Sequence, residues 1–93
     1  MIKVGITGQA GFVGTHLYYL GLQPDVFERV PFEDTFFDQE DLLRAFVKRC
    51  DVIVHLAAMN RHPDPAVIYD TNIRLVKRLI SVMAHEGVTP YVL

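Results

Sequence analysis

The chain has 93 residues, of which 51% are hydrophobic and 22% charged, with a formal net charge of −2. That length gives one domain at most, and the composition is that of a globular chain rather than a disordered one. The small negative charge argues against nucleic acid or an anionic membrane as a partner, and the apolar runs are too short to span a bilayer.

The first fourteen residues, MIKVGITGQAGFVG, carry the most information. Ile2, Val4 and Ile6 alternate as in a strand, and both residue types favour strands. The run breaks at Thr7-Gly8, glycines recur at Gly8, Gly11 and Gly14, and an apolar, helix-like piece follows from Phe12 to Leu20. A strand, a glycine turn and a helix form the front half of a βαβ unit. A helix N-terminus presents unpaired N–H groups and a partial positive charge, so it can hold a phosphate without a basic side chain. The spacing predicts that Gly8 lets the chain turn, Gly11 lets backbone approach a ligand, and Gly14 lets the helix pack near the strand. A nucleotide pyrophosphate is the natural ligand of such a turn. No Gly-Lys-Ser/Thr follows, which argues against an NTPase phosphate loop. Gly5 lies inside the strand and is expected to allow close approach of a neighbouring element.

The pattern Thr7-Gly8-x-x-Gly11-Phe12-x-Gly14 resembles the TGxxGFxG motif of the extended short-chain dehydrogenases/reductases. That resemblance implies an α/β Rossmann-type parallel sheet with flanking helices and a bound NADP or NAD. It also implies that Gly8, Gln9, Ala10, Gly11, Phe12, Val13 and Gly14 form the cofactor-binding turn. His16, on the helix that follows, reads as a surface histidine.

Gly21 is an expected helix stop, with Pro24 beyond it. Asp25 to Val30 reads as the second strand, with Val26, Glu28 and Val30 on one face. Near its end a dinucleotide site places an acid on the ribose 2′-OH of NAD or an arginine on the 2′-phosphate of NADP. Arg29 points to NADP, and Glu33 or Asp34 points to NAD. Pro31 to Phe37 reads as a loop or irregular strand, packed down by three phenylalanines. Asp38 is the expected N-cap of a helix over 39–49, with Leu42, Leu43, Phe46 and Val47 on its apolar face and Lys48 and Arg49 suiting its C-terminal dipole. Cys50, the single cysteine, excludes an intramolecular disulfide and reads as a small buried apolar residue. A lone thiol and the absence of a signal-peptide pattern suit a cytoplasmic protein.

Asp51 to Ala58, DVIVHLAA, is nearly continuous apolar, as expected for a central parallel strand. Small residues at its C-terminal end leave room for a nucleotide, because ligands of open α/β sheets sit outside the strand ends at the switch point. The segment His55-Leu56-Ala57-Ala58 resembles the HLAA segment of the same reductase family. The family resemblance implies that Leu56, Ala57 and Ala58 contact the cofactor, while His55 reads as a satisfied buried histidine. Asn60, Arg61 and His62, in the loop above, are candidates to face either a nicotinamide ribose or a sugar-nucleotide diphosphate, Arg61 being the best suited to an anion through its planar fork. His62 with Asp64 lacks the further ligands a metal needs.

Asp64-Pro65 reads as an N-cap and first helical residue of a long helix to about Glu86, closed by Gly87. Ile68, Leu75, Val76, Leu79, Ile80 and Met83 supply its apolar positions. Asn72 resembles an asparagine of the family and is expected to fix packing. Tyr91 to Leu93 begins another strand. The family's hydride chemistry uses a Tyr-x-x-x-Lys pair, and none of the four tyrosines here has a lysine four residues on. No catalytic residue is therefore assigned.

The expectation is a truncated three-layer sheet: residues 1–93 form either a minimal domain or the NAD(P)-binding N-terminal portion of a longer enzyme, inactive alone. Two functions follow. One is part of an epimerase, dehydratase or reductase of nucleotide sugars, most like the keto-sugar reductases of surface polysaccharide synthesis. The other is a non-catalytic NAD(P)-sensing or protein-interaction module. A half-sheet leaves an unpaired edge and bare apolar helix surface, which predicts a homo-oligomer.

Overall fold

A computed structural model describes the chain apart from residues 9–10, 18–22 and 60 and the side chain of Phe12. The elements run β1 (Ile2–Thr7), α1 (Phe12–His16), β2 (Phe27–Val30), a 3-10 turn (Asp34–Asp38), α2 (Glu40–Arg49), β3 (Val52–His55), α3 (Pro65–Glu86) and β4 (Tyr91–Val92). The described strands form one parallel sheet in the order β2-β1-β3-β4. This is the expected Rossmann-like arrangement. The chain first crosses from β1 to β2 and then reverses to build β3 and β4 on the other side. The switch point thus falls between the C-terminal ends of β1 and β3.

The pleat of β1 divides the protein into layers. Gly5 faces α2: a Cβ there would stand 2.4 Å from Phe46 Cζ and 2.5 Å from Cys50 Sγ. The close approach expected of Gly5 is met by these two side chains. Val4 and Ile6 point to the opposite face. They are buried yet stand apart from the cluster beneath α2 and α3. The right-handed crossover rule assigns α1 to that second face.

The main core lies between the sheet and the α2–α3 pair. It joins Val30, Phe32, Leu43, Phe46, Val47, Cys50, Ile53, Leu79 and Val82. Phe32 packs its ring against Phe36, Phe37 and Phe46 at centroid distances of 5.3, 5.5 and 4.8 Å. These contacts explain the first departure from the sequence reading. The segment read as loop or irregular strand coils into the 3-10 turn, because coiling brings Phe36 and Phe37 down onto Phe32. Asp38 consequently ends that turn instead of capping α2, and Gln39 takes the N-cap position without a side-chain bond. The second strand is also shorter than expected, since the backbone around Gln23 to Val26 is a turn whose Gln23 carbonyl accepts from Val26 and Phe27. Leu42, expected on the apolar face of α2, is exposed.

The ends of α3 follow the sequence. Asp64 Oδ1 accepts from the Ala66 amide at 2.9 Å, with Pro65 at the first helical position. Gly87 closes the helix in the left-handed region at φ 66°, and the Val88 amide reaches back to the Met83 carbonyl at 3.1 Å. Ion pairs tie α2 to α3: Glu86 faces Arg44 and Lys48, and Glu40 faces Arg44 and Arg78. Arg78 Nε also donates to the Phe37 carbonyl at 3.2 Å, holding the 3-10 turn against α3. Within α3, Leu79 and Val82 are buried, whereas Val76 and Ile80 are exposed together with Tyr69. No helix among the described residues is long and apolar enough to cross a membrane.

Candidate functional site

The C-terminal ends of β1 and β3 are joined through Thr7, which is fully buried. Its Oγ1 accepts from the Leu56 amide at 3.0 Å and the Ala57 amide at 3.1 Å. The same oxygen lies 2.7 Å from His55 Nδ1. The Thr7 carbonyl also takes the Leu56 amide, at 3.1 Å. Sheet pairing thus continues past the last residue of β3 and fixes the chain that follows it.

Immediately after Thr7 the backbone turns at Gly8, whose φ is +74°. An added Cβ would meet Ala57 N at 2.8 Å, Leu56 C at 2.9 Å and Ala57 Cα at 3.0 Å. Gly8 is therefore required twice, by its dihedral angle and by the neighbouring strand end. Gly11 differs. Its amide closes the turn onto the Gly8 carbonyl at 3.0 Å, and its own Cβ would meet only that oxygen, at 3.4 Å. It is exposed and stands at the N-cap of α1, with no side chain between backbone and cleft. Gly14 is buried, and Val13 and His16 are exposed.

Above these strand ends opens a cleft of about 540 Å³ lined by Gly8, Gly11, Asp34, Phe37, Asp38, Leu56, Ala57, Ala58, Met59, Thr71 and Leu75. That volume lies within the range of small-molecule and cofactor sites. The cleft brings together the two stretches singled out in the sequence, the glycine turn and Leu56-Ala57-Ala58. Its position at the switch point is where open parallel sheets bind ligands. The linings at Gly8, Gly11, Ala57 and Ala58 are backbone or methyl, so an anionic group can come close to main-chain amides.

Other expected positions fall differently. Arg29 stands inside β2, paired with Val4, and is not among the described residues lining the cleft. The chain leaves the sheet one residue later, and the 3-10 turn supplies Asp34 and Asp38 to the rim in its place. Arg61 and His62 are exposed, and His62 Nδ1 accepts from the Asp64 amide at 3.0 Å. The assignments to Gln9, Ala10, Asn60 and the Phe12 side chain lie outside the described residues.

Asn72 and Thr7 both hold the backbone of the cleft wall. Asn72 closes a pair of bonds on the Met59 backbone: Oδ1 accepts from its amide at 2.6 Å and Nδ2 donates to its carbonyl at 3.1 Å. It imitates a strand neighbour and holds Met59 on the cleft wall, which is the packing role expected of it. Thr7 was noted only as part of a glycine motif, and the signal for its role is its place as the last residue of β1, directly before the turn. Burial of His55 lowers its pKa below the ordinary 6.5, which favours the neutral ring. Cys50, buried under α2, has its thiol pushed up to about 12, chiefly by desolvation.

A parallel α/β sheet with an open cleft at its switch point defines a Rossmann-type nucleotide-binding domain. The chain belongs to the NAD dependent epimerase/dehydratase family, whose sequence profile matches residues 4–93. Among solved structures it is similar to UDP-N-acetylglucosamine 4-epimerase from Bacillus cereus, with TM-score 0.74 and 18% identity over 96% of this chain and 36% of that one. It is also similar to RMD from Pseudomonas aeruginosa complexed with NADPH, with TM-score 0.74 and 25% identity over 99% of this chain and 34% of that one. A variant of uronate dehydrogenase from Agrobacterium tumefaciens complexed with NAD gives TM-score 0.61 and 22% identity over 94% of this chain and 38% of that one. The chain thus spans little more than a third of these structures' length. No curated protein matches the chain in sequence.

Proposed function

We propose that this chain is the dinucleotide-binding portion of an NAD(P)-dependent enzyme that acts on a nucleotide sugar. The observation that carries the reading is the cleft at the β1–β3 switch point, walled by bare backbone at Gly8 and Gly11 and by Ala57 and Ala58. Family membership and the complexes of two similar structures with NADPH and NAD support it. When bound, the nicotinamide cofactor supplies hydride chemistry. The chain's own residues bind and orient it: Gly8 and Gly11 face the diphosphate, the turn of residues 8–14 being the segment we assign to it, and Leu56 to Ala58 line the nucleotide's path across the strand ends. Asn60 and Arg61 follow that wall and are the residues we assign to the substrate.

The rim favours NAD. Asp34 and Asp38 place two carboxylates where the cleft meets the 3-10 turn, and like charge disfavours the extra phosphate of NADP. Calorimetric titration with both dinucleotides tests this. Tighter binding of NAD is expected; binding of neither by the folded chain would refute the site, and tighter binding of NADP would refute the role of the rim.

The tyrosines lack a lysine partner at the family's spacing, so this chain by itself is expected to be inactive. Mixing it with NADPH and a nucleotide keto-sugar checks that, and turnover above background would overturn it. The exposed apolar positions of α3 and the exposed edge strand β4 support association into a homo-oligomer. Sedimentation at rising concentration decides, since a monomer throughout contradicts it. A cytoplasmic location in a polysaccharide pathway fits the single buried thiol and the sugar-nucleotide reading.

A further inference from the structure

Among the described residues the Thr7 hydroxyl has three partners, and their chemistry fixes its orientation. A hydroxyl has one proton to donate and two lone pairs to accept with. The Leu56 and Ala57 amides can only donate, and both lie within hydrogen-bond distance of Oγ1. Both lone pairs are thereby taken, and the hydroxyl proton goes to the third partner, His55 Nδ1, 2.7 Å away. Nδ1 can accept only when it is bare. The geometry therefore requires a neutral imidazole carrying its proton on Nε2.

We propose that His55 is a positioning residue for the dinucleotide cleft: as the Nε2–H tautomer it orients the Thr7 hydroxyl toward itself, and adding a proton to Nδ1 releases the Leu56–Ala57 wall. The inference rests on the dinucleotide reading of the cleft for its effect on binding, though not for the tautomer itself. In acid, Nδ1–H becomes a donor facing an oxygen whose lone pairs are both engaged. Either the Ala57 amide or the Leu56 amide, the latter also held by the Thr7 carbonyl at 3.1 Å, must let go of Oγ1, or the ring must turn away. Either change moves the backbone against which Gly8 is packed, at the wall of the cleft.

The surroundings of the ring favour the neutral form. β1 presents Thr7 as the register partner of His55. The 3-10 turn presents Phe37 at a ring-centroid distance of 6.4 Å, edge to face. The backbone of Leu93, just past β4, accepts the His55 amide at 2.8 Å. The titratable groups on these elements are Lys3 on β1, Asp34 and Asp38 on the 3-10 turn and Tyr91 on β4. Burial, the cause that lowers the proton affinity of the ring, acts in the direction the hydroxyl requires.

The test combines a spectroscopic and a binding measurement. Long-range nitrogen–proton spectra of the labelled chain are expected to show His55 at neutral pH with a bare Nδ1 and a protonated Nε2. A proton on Nδ1, or a charged ring at neutral pH, would overturn the proposal. Amide hydrogen exchange at Leu56 and Ala57 should accelerate as the ring titrates, and exchange unaffected by that titration would also overturn it. NAD affinity is expected to fall about fivefold through the same step, the effect of one hydrogen bond. In His55→Asn, Oδ1 replaces Nδ1 as an acceptor that does not titrate, so the acid step should vanish. His55→Leu, without an acceptor, should bind more weakly than His55→Asn at every pH. An acid step that persists in His55→Asn refutes the coupling. A chain that binds no dinucleotide at any pH refutes the functional reading, while the tautomer and exchange data still decide the role of His55.

Discussion

Replacing Gly8 by alanine puts a methyl group between two strand ends. The backbone there has φ +74°, a region that costs an L-residue about 1–2 kcal/mol. The new Cβ would lie 2.8–3.0 Å from Ala57 N, Leu56 C and Ala57 Cα, about 0.5–1 Å inside the optimal carbon contact distance. These are backbone atoms, so no side chain can rotate away, and the β1 and β3 ends must separate. Overpacking of this kind costs about 1–3 kcal/mol. The sum, about 2–5 kcal/mol, is a large fraction of the stability of a small domain. Gly11→Ala is the control. Its φ is −74° and its Cβ meets only the Gly8 carbonyl, at 3.4 Å. That substitution should leave stability within about 0.5 kcal/mol, as surface changes do, yet weaken NAD binding by placing a methyl in the cleft. Urea unfolding of the three proteins, followed by NAD titration of those that fold, separates the two roles. Gly8→Ala unfolding at the wild-type urea concentration would refute the steric argument. Equal destabilisation by Gly11→Ala would refute the distinction between a turn residue and a ligand-facing one.

Asn72→Leu should cost about 1–3 kcal/mol, because it leaves the half-buried Met59 amide and carbonyl without their partner; thermal unfolding measures the loss, and faster exchange at the Met59 amide locates it. The Cys50 thiol, raised to about 12, should resist iodoacetamide in the folded chain and react fully in denaturant, so rapid native labelling would contradict its burial. His55, with a folded pKa below the unfolded value near 6.5, contributes stability that is fully present above about pH 6.5. That contribution is lost as pH falls through the folded pKa, because the unfolded state then binds the extra proton. The urea midpoint of the wild type should fall over that window, and the His55→Asn midpoint should fall less.

Much of the architecture was legible because its causes are local. The alternation of Ile2, Val4 and Ile6, the left-handed turn at Gly8, the Asp64-Pro65 start and the Gly87 stop each depend on a few adjacent residues, and all stand where the sequence put them. The two halves of the cleft were legible for the same reason. What the sequence did not show is set by partners far apart in the chain. Asp38 is a good capping residue locally, yet Phe32 draws Phe36 and Phe37 inward and the turn this creates displaces the cap to Gln39. The same turn carries Asp34 and Asp38 to the rim of the cleft. Thr7 and His55 are separated by 48 residues and meet only when β1 and β3 pair. Asn72 reaches Met59 across 13 residues, a contact that no helical periodicity encodes.

The contact between Gly5 and α2 also constrains how this sequence can vary. A Cβ at position 5 would overlap the Phe46 ring and the Cys50 sulfur, so volume gained on the strand must be given up on the helix. Gly5→Ala alone should strain the packing, whereas Gly5→Ala combined with Phe46→Leu should recover part of the loss, a compensation that a double-mutant cycle measures directly. Positions 5 and 46 therefore behave as one steric unit, and neither can be altered freely without regard to the other.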